Sequence, residues 1–323
     1  MEFDLGRSVP FHVARDPVSL PVIRRWCDAM GDANAVHTDP DVAARSRFGR
    51  VIAPLAMLDV WTKPGLVYER DTSDVQGAAF EILDRAGFTS AVAVSSELTQ
   101  VRPLVVGDDL HSTVTLESVS DEKSTALGHG RFVTTTQELF VGDEPVGRSR
   151  FTVFKFRPVG DRRGPSTVAS APEEDRTATT SPTRDALGTV RAGSLRVGDR
   201  PPDVTIPVTT TLIVSGALMT SDYFDAHHDR DAAVRRGSKD VFMNIHTTLG
   251  VVEAWVSEWL GPNARWRSMS TRLGTTNYPG DAMTMTGTVT AVSPETGQVT
   301  IEHRATNGLG VHASGVIDVE LPT

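Results

Sequence analysis

The chain has 323 residues, of which 39% are hydrophobic and 23% charged, a composition typical of a globular protein large enough for two domains. Its net charge of −9 argues against a nucleic-acid-binding protein, and no run of 18 apolar residues indicates a membrane span. Cys27 is the only cysteine, which excludes an intrachain disulfide and a cysteine-based zinc site and favours the cytoplasm, and the first residues lack the features of a secretory signal.

An amphipathic helix is predicted near the start of the chain. In VIRRWCDAMGD, Val22, Ile23, Trp26 and Met30 recur at helical spacing, and Cys27 on the same helix is expected to pack in the core. The segment GDANAVHTD follows, and then APLAMLDVWTKPG, a short apolar stretch that is predicted to be helical. Strands such as LHSTVTLESV and RFVTTTQELFV come next, because they are rich in Val and Thr and alternate in polarity.

Residues 158–193 interrupt this globular pattern. The segment is rich in Pro, Ser, Thr, Ala and charge, and it contains no Phe, Trp, Tyr, Ile or Met. Because such a composition cannot bury much apolar surface, we predict a flexible linker that proteases cut first. It separates an N-terminal domain, 1–157, from a C-terminal domain, 194–323.

The second domain repeats the order of the first. TLIVSGALMTSD is predicted to be helical and leads into SDYFDAHHD, and the long apolar helix IHTTLGVVEAWVSEWLG follows, with Thr247 or Thr248 as its cap. One apolar stripe of that helix, interpreted as core, contains Leu249, Val252, Trp255, Val256 and Trp259. The strands AMTMTGTVTAV and QVTIEHRAT come last. The chain is therefore predicted to be a tandem duplication of one α+β unit, each with a helix against a long antiparallel sheet.

Each half carries the same acid–imidazole arrangement, 190 residues apart. A carboxylate and an imidazole held on one loop can share a water molecule and act as general acid and base, because imidazole titrates near neutrality. A helix cap, inherited by both halves through duplication, is the alternative interpretation. The matched residues are Asp32, His37 and Asp39 in the first half and Asp222, His227 and Asp229 in the second.

Metal and nucleotide chemistry have weaker support. The HHD sequence at 227–229, with Asp222 and Asp225 nearby, has the residue types of metal ligands but matches no known ligand spacing, so no metal is predicted. The sequence contains no G-x-G-x-x-G motif, no P-loop and no nucleophile elbow. No cofactor is therefore predicted.

The segment GDANAVHTDPDVAARSRFGRVIAP resembles the signature of R-specific enoyl-CoA hydratases of the MaoC-like family, whose G-D-x-N-P-x-H loop carries the catalytic Asp and His. Ala35 replaces the proline of that loop, and Leu55 stands where a glycine often follows. RDPVSLPVIRRWCDAMGD through VIAPLAMLDVWTKPGL is similar to the MaoC-like domain of the α-type subunit of actinobacterial steroid side-chain enoyl-CoA hydratases. DYFDAHHDRDAAVRRGSKDVFMNIHTTLGVVEAWVSEWLGP is similar to their β-type subunit. The chain thus resembles the two subunits fused.

The resemblance implies a double hotdog fold, in which each half wraps an antiparallel sheet around a central helix and an acyl-CoA thioester binds between the halves. The β-type half supplies the catalytic pair, which by position is Asp222 and His227, and the α-type half holds a bulky acyl group. The α-type half commonly lacks the His of the motif, whereas this chain keeps it. Asp32, Asn34 and His37 are therefore a candidate second site.

The implied reaction is the reversible syn addition of water across the double bond of a 2-enoyl-CoA, without a metal or redox cofactor. Negative charge on the thioester oxygen is expected to be stabilised by backbone N–H groups near Asn244, Ile245 and His246, where the helix dipole helps. Contacts to CoA phosphates are expected from a basic trio, for which a solvated face is an equal alternative. This trio is Arg235, Arg236 and Lys239.

Two other functions stay open from the sequence. A dehydratase of 3-hydroxyacyl thioesters in polyketide or fatty-acid synthesis would use the same residues on a carrier-protein substrate. A non-catalytic acyl-thioester-binding protein would bind without turnover. The α-type subunit usually continues into a Cys-rich zinc-ribbon/OB domain that docks an aldolase, and because no such region occurs here, an aldolase partner is not expected. A compact pseudo-dimer is expected, and pairing into a homodimer stays open.

Overall fold

The computed structural model describes residues 1–66, 74–158 and 182–323. The helices are α1 (Leu20–Met30), α2 (Ala35–Thr38), α3 (Pro40–Arg45), α4 (Val75–Arg85), α5 (Thr210–Met219), α6 (Arg230–Arg235) and α7 (Ile245–Leu260). Short 3-10 turns span Leu55–Met57, Val60–Thr62, Ala192–Ser194 and Asp225–His227. The strands are β1 (Ser8–Val13), β2 (Ser90–Gln100), β3 (Leu110–Val119), β4 (Lys123–Thr125), β5 (Gly128–Val141), β6 (Glu144–Pro158), β7 (Val204–Pro207), β8 (Arg265–Leu273), β9 (Ala282–Ser293), β10 (Gln298–Asn307) and β11 (Gly310–Glu320).

The described strands form one antiparallel sheet that runs through both halves. Its order is β1-β3-β5-β6-β2-β8-β11-β10-β9-β7, with β4 paired to β5 at the side. The second half repeats the order of the first in reverse, so the two halves meet where β2 pairs with β8, from Ser95 opposite Arg272 to Thr99 opposite Ser268. The predicted tandem α+β unit with a long antiparallel sheet is confirmed.

The helix α1 forms where the apolar spacing predicts it. A proline stands in its first turn, where no N–H is needed, and Gly31 ends it in the left-handed region at φ 71°. Trp26, Cys27 and Met30 are buried. Cys27 is thus a core residue as expected, and burial raises the pKa of its thiol.

The long helix α7 is buried at every position except Glu258. This is expected of a helix whose surface is mostly apolar. It begins earlier than predicted, because Asn244 rather than a threonine caps it, its side-chain oxygen accepting the N–H of Thr247 at 2.7 Å. Trp255 and Trp259 are core residues, as expected.

The corresponding stretch of the first half does not form the predicted helix. Residues 55–57 and 60–62 form two 3-10 turns between Pro54 and Pro64, which is too short a span to bury a long helix. The helix of the first half that packs on the sheet is instead α4, which follows these turns in the chain and contacts β3.

Both halves contribute to one core. A Cβ at Gly250 of α7 would lie 2.8 Å from Cγ of Met30 and 2.9 Å from Cζ2 of Trp26, so glycine lets α1 approach α7 closely. This contact places the loop after α1 and the start of α7 on one interface between the halves.

Most of the predicted linker, 159–181, lies outside the described residues. The remainder, 182–193, packs on the second half: Val190 and Ala192 are fully buried, and the N–H of Val190 donates to the carbonyl of Leu260 at 2.8 Å. The packed part of the second half therefore begins inside the segment predicted as linker. In the described ranges, no helix is long and apolar enough to cross a membrane.

Candidate active site

The second Asp–His pair lies in the loop between α5 and α6. His227 Nδ1 is 2.7 Å from the carbonyl oxygen of Phe242. Because a carbonyl oxygen only accepts, Nδ1 carries the proton, and the lone pair of the neutral ring is on Nε2. That nitrogen lies 3.6 Å from Asp222 Oδ2, too far for a direct hydrogen bond but a suitable separation for both groups to contact one water molecule.

Asn244 connects this pair to α7. Its side-chain N–H₂ donates to Asp222 Oδ2 and to Thr220 Oγ1, each at 2.9 Å, while its oxygen caps the helix. One side chain therefore fixes both the carboxylate and the helix end. The sequence analysis expected backbone N–H groups near Asn244 to bind an oxyanion; the structure shows in addition that its side chain contacts the carboxylate of Asp222.

The electrostatic surroundings keep Asp222 ionised. Burial would raise the pKa of its carboxyl, but His227, Lys63 and His246 oppose this, with a further hydrogen bond from Asn244, and the pKa is lowered overall. The carboxylate is thus available to accept a proton or to orient water.

The first turn of α7 faces this pair and can hold negative charge. The N–H groups of Ile245 and His246 are the first two of the helix, and helix geometry gives them no intrahelical acceptor. They point from the positive end of the helix dipole. An oxygen that gains charge during reaction could be bound there.

The first Asp–His pair has nearly the same geometry. His37 Nδ1 is 2.8 Å from the carbonyl oxygen of Ile52, and Nε2 is 3.8 Å from Asp32 Oδ2. Asn34 caps α2 by accepting the N–H of Val36 at 3.3 Å, and the N–H of Asn34 donates to Asp32. The repetition predicted from the sequence therefore holds in three dimensions.

The two pairs differ in access. The side chains of Asp32 and His37 are each 2% exposed, whereas Asp222 is 26% exposed. No described residue offers a hydrogen-bond partner to His37 Nε2. In place of Asn244 the first half has Pro54, which has no side-chain amide to orient the carboxylate.

Glu253 of α7 binds two backbone N–H groups of the first half. Its two carboxyl oxygens accept the N–H groups of Leu55 at 2.7 Å and Ala56 at 2.6 Å. Those residues are 190 positions before Ile245 and His246. Burial, with the nearby Asp32 adding to it, raises the pKa of Glu253 to about 8 although the two N–H donors oppose the shift. Sequence reasoning missed this residue; the available signal was an acid, Glu253, close to Val252 and Trp255 of the predicted apolar stripe, whereas the other acid of the helix, Glu258, is exposed.

The basic trio is not gathered around one point. Arg236 makes a two-pronged pair with Asp225, with distances of 2.6 and 2.9 Å. The ammonium of Lys239 lies 4.1 Å from the ring centroid of Tyr278. Arg235 is exposed at the end of α6. Within this trio, Arg236 is bound to a carboxylate, whereas Arg235 and Lys239 form no ion pair with a carboxylate of the described residues.

The metal-type residues around HHD have other roles. His228 Nε2 contacts the carbonyl of Tyr223 at 3.1 Å, Asp225 pairs with Arg236, and Asp229 caps α6. Across the described ranges, no three His, Cys, Asp or Glu side chains are grouped so that they could hold a metal ion.

A cavity of about 220 Å³ lies between the sheet of the first half and the start of α7. Its wall includes Asp59 and Lys63, which the sequence did not single out, and the side chain of His246. Two of these wall residues, Lys63 and His246, lie close enough to Asp222 to lower the pKa of its carboxyl, so this wall approaches the second Asp–His pair.

Solved structures share this fold. A MaoC-like dehydratase superposes with a TM-score of 0.74 at 18% identity, covering 99% of this chain and 98% of that one. A conserved Mycobacterium tuberculosis protein with a double hotdog fold gives a TM-score of 0.64 at 14% identity, covering 98% and 97%. The predicted double hotdog fold is confirmed.

Comparison of sequences decides the family. Residues 6–148 match the FAS1-like, dehydratase domain region. The β subunit of 3-oxo-4,17-pregnadiene-20-carboxyl-CoA hydratase from Mycobacterium tuberculosis is 42% identical over 125 residues, which cover 39% of this chain and 95% of that subunit. The chain belongs to the MaoC-like hydratase and dehydratase family.

The α subunit of the same enzyme is a further relative of this MaoC-like protein. It is 35% identical over 195 residues, which are 59% of this chain and 61% of that subunit. The chain therefore spans less than two thirds of the α-type relative. Likeness to both an α and a β subunit confirms the predicted resemblance.

Proposed function

We propose that this MaoC-like protein is an enoyl-CoA hydratase that adds water reversibly across a 2-enoyl-CoA double bond at Asp222 and His227. The observation that carries the proposal is the open pair, 3.6 Å apart, beside the uncapped N–H groups of Ile245 and His246. The relatives named as hydratase subunits support this reaction and a bulky steroid side-chain CoA thioester as substrate.

Each residue of the site has a separate role in the proposed reaction. Asp222 and His227 hold one water over the β-carbon, and one of them takes its proton as the oxygen attacks. Charge that moves onto the thioester oxygen is stabilised by the N–H groups of Ile245 and His246, each such donor contributing roughly 3 kcal/mol in a dry site. A proton then returns to the α-carbon on the same face, which completes the addition.

The first pair, in this proposal, does not turn over substrate. Its N–H groups at Leu55 and Ala56 already bind Glu253, so a thioester oxygen has no donors there. The buried Asp32 and His37 remain as the duplicated counterpart. Arg235 and Lys239 are proposed to contact CoA phosphates, and the cytoplasm is the proposed location.

The experiment is a panel of steroidal and linear 2-enoyl-CoAs, followed by loss of the enoyl absorbance. Turnover of steroidal esters supports the full proposal, and turnover of short linear esters alone leaves the hydratase and removes the steroid substrate. Matched 3-hydroxyacyl esters of CoA and of acyl carrier protein separate a biosynthetic dehydratase from a hydratase. Tight binding with no turnover of any ester would instead identify a non-catalytic binding protein.

A further inference from the structure

Three polar side chains, here called the interface cluster, join the two halves beside the start of α7: Asp59, Lys63 and His246. His246 Nε2 is 3.6 Å from Asp59 Oδ2, and Lys63 Nζ is 4.0 Å from Asp59 Oδ1. The hydroxyl of Ser149 also donates to Asp59 Oδ2, at 2.8 Å. The side chains of Asp59 and His246 are only 6% and 7% exposed. The cluster is therefore a buried polar group between the domains.

The interface cluster has unused hydrogen-bonding capacity. Within the described part of the chain, Asp59 Oδ1, Lys63 Nζ and both ring nitrogens of His246 are buried without a hydrogen-bond partner. Leaving a buried polar group unsatisfied costs about 1–3 kcal/mol. Native proteins seldom keep several such atoms together unless a ligand or an ordered water meets them.

Asp59, Lys63 and His246 all line the cavity of about 220 Å³. At the cluster end its wall is polar, with Gln137 and Thr62 joined by a hydrogen bond of 2.8 Å. Its apolar wall includes Phe11, Val114 and Phe151, whose ring centroid lies 5.8 Å from that of His246. A ligand that fills the cavity from the start of α7 therefore meets both the polar interface cluster and apolar surface.

We propose that the interface cluster binds a neutral oxygen function, a hydroxyl or a keto group, that the acyl group carries within a few bonds of the thioester. The ammonium of Lys63 and a ring N–H of His246 would donate to that oxygen, and Asp59 Oδ1 would accept from a hydroxyl. The proposal rests on the proposed function, because that function places the acyl chain beside α7.

The charges of the site favour a neutral group over a carboxylate. Asp59 is held ionised, because Lys63 and His246 lower the pKa of its carboxyl against the effect of burial. Asp222 lies close enough to Lys63 and His246 for both to lower its pKa too. The positive charge of Lys63 thus already stabilises two carboxylates, Asp59 and Asp222. These carboxylates would repel a carboxylate on the ligand.

The test is a binding measurement that does not need turnover. Dissociation constants are measured by calorimetry for saturated CoA esters: hexanoyl-CoA, 5-hydroxyhexanoyl-CoA, 5-oxohexanoyl-CoA and adipyl-CoA. A steroidal acyl-CoA is paired in the same way with a derivative that carries a hydroxyl on the ring carbon next to the one bearing the side chain. In at least one series the oxygenated ester should bind about tenfold more tightly or better, since a site built for a hydroxyl discriminates against analogues that lack it.

Variants test whether the interface cluster causes the tighter binding of oxygenated esters. Lys63→Met should abolish the preference for the oxygenated ester, and so should Asp59→Asn for the hydroxyl. Lys123→Met, on the exposed strand β4, is the matched control and should keep it. Equal binding of plain and oxygenated esters in both series, or an unchanged preference in Lys63→Met, would overturn the proposal, as would tightest binding of adipyl-CoA. The enoyl-CoA panel tests hydration separately, so a hydratase without this preference would be recognised.

Discussion

Glu253 Oε1 accepts the N–H of Leu55 at 2.7 Å, although the two residues are 198 positions apart in the chain. Leu55 is the counterpart of Ile245, whose N–H has no acceptor within its helix because it stands in the first turn of α7. A carboxyl group from one half thus binds, in the other half, the N–H groups that correspond to the proposed oxyanion donors Ile245 and His246. The duplicated pairs are chemically alike but not equally usable.

The catalytic assignment predicts unequal effects of matched substitutions. Asp222→Asn or His227→Ala should lower turnover by at least about 10²-fold, the usual scale for losing acid–base catalysis. Asp32→Asn or His37→Ala should lower turnover much less, because the N–H groups beside that buried pair are already bound to Glu253. Steady-state kinetics on one enoyl-CoA check this, with urea unfolding to confirm that each variant is folded. If the first pair proves indispensable and the second dispensable, the assignment must be reversed.

Asn244 is predicted to support activity through its contact with Asp222 and stability through its cap on α7, and two substitutions can separate these effects. Asn244→Ser keeps a cap for α7 but loses the N–H that holds Asp222, so kcat should fall while stability changes little. Asn244→Ala should lose the cap as well, at about 1 kcal/mol. Urea unfolding and kinetics of the two variants make the comparison. Equal activity of Asn244→Ser and the unmodified protein would contradict the orienting role.

Glu253 should make stability depend on pH. Its pKa is raised from 4.5 to about 8, so between these values the unfolded chain loses a proton that the folded protein keeps. The contribution of Glu253 to the free energy of unfolding therefore falls as pH rises from about 4.5 to 8. Glu253→Gln lacks this titration, so its stability relative to the unmodified protein should improve over that range. Urea unfolding at several pH values measures the trend, and Glu258→Gln, exposed on the same helix, should show none.

The basic residues near α6 should affect CoA binding unequally. Arg235→Met and Lys239→Met should raise KM for enoyl-CoA severalfold but leave KM for the matching enoyl-pantetheine unchanged, because pantetheine lacks the nucleotide phosphates. Arg236→Met should act through the loss of its pair with Asp225 and change both substrates alike. Equal effects of all three variants on both esters would contradict phosphate contacts.

Cleavage between residues 159 and 181 should leave the two halves together. The pairing of β2 with β8 and the close approach of Met30 to Gly250 join them independently of that connection. Limited proteolysis followed by size-exclusion chromatography should give two fragments that elute as one species. Separate elution would mean that the interface is too weak to hold the fold.

The sequence by itself determined the repeated unit and the positions of its two Asp–His pairs. Helical spacing defined α1 and α7, and the 190-residue offset paired Asp32 with Asp222 and His37 with His227, because these patterns depend on neighbours along the chain. The same reasoning predicted a helix after the first pair, where only 3-10 turns form.

Only the tertiary structure decided which pair is open and what faces it. Glu253 reaches Leu55, and Asp59 meets His246, across the interface between the halves. Such contacts depend on how two distant segments are packed, and local spacing carries no information about that distance. Burial then set the charge states, because removing a carboxyl group from water changes its pKa in a way that residue type alone does not reveal.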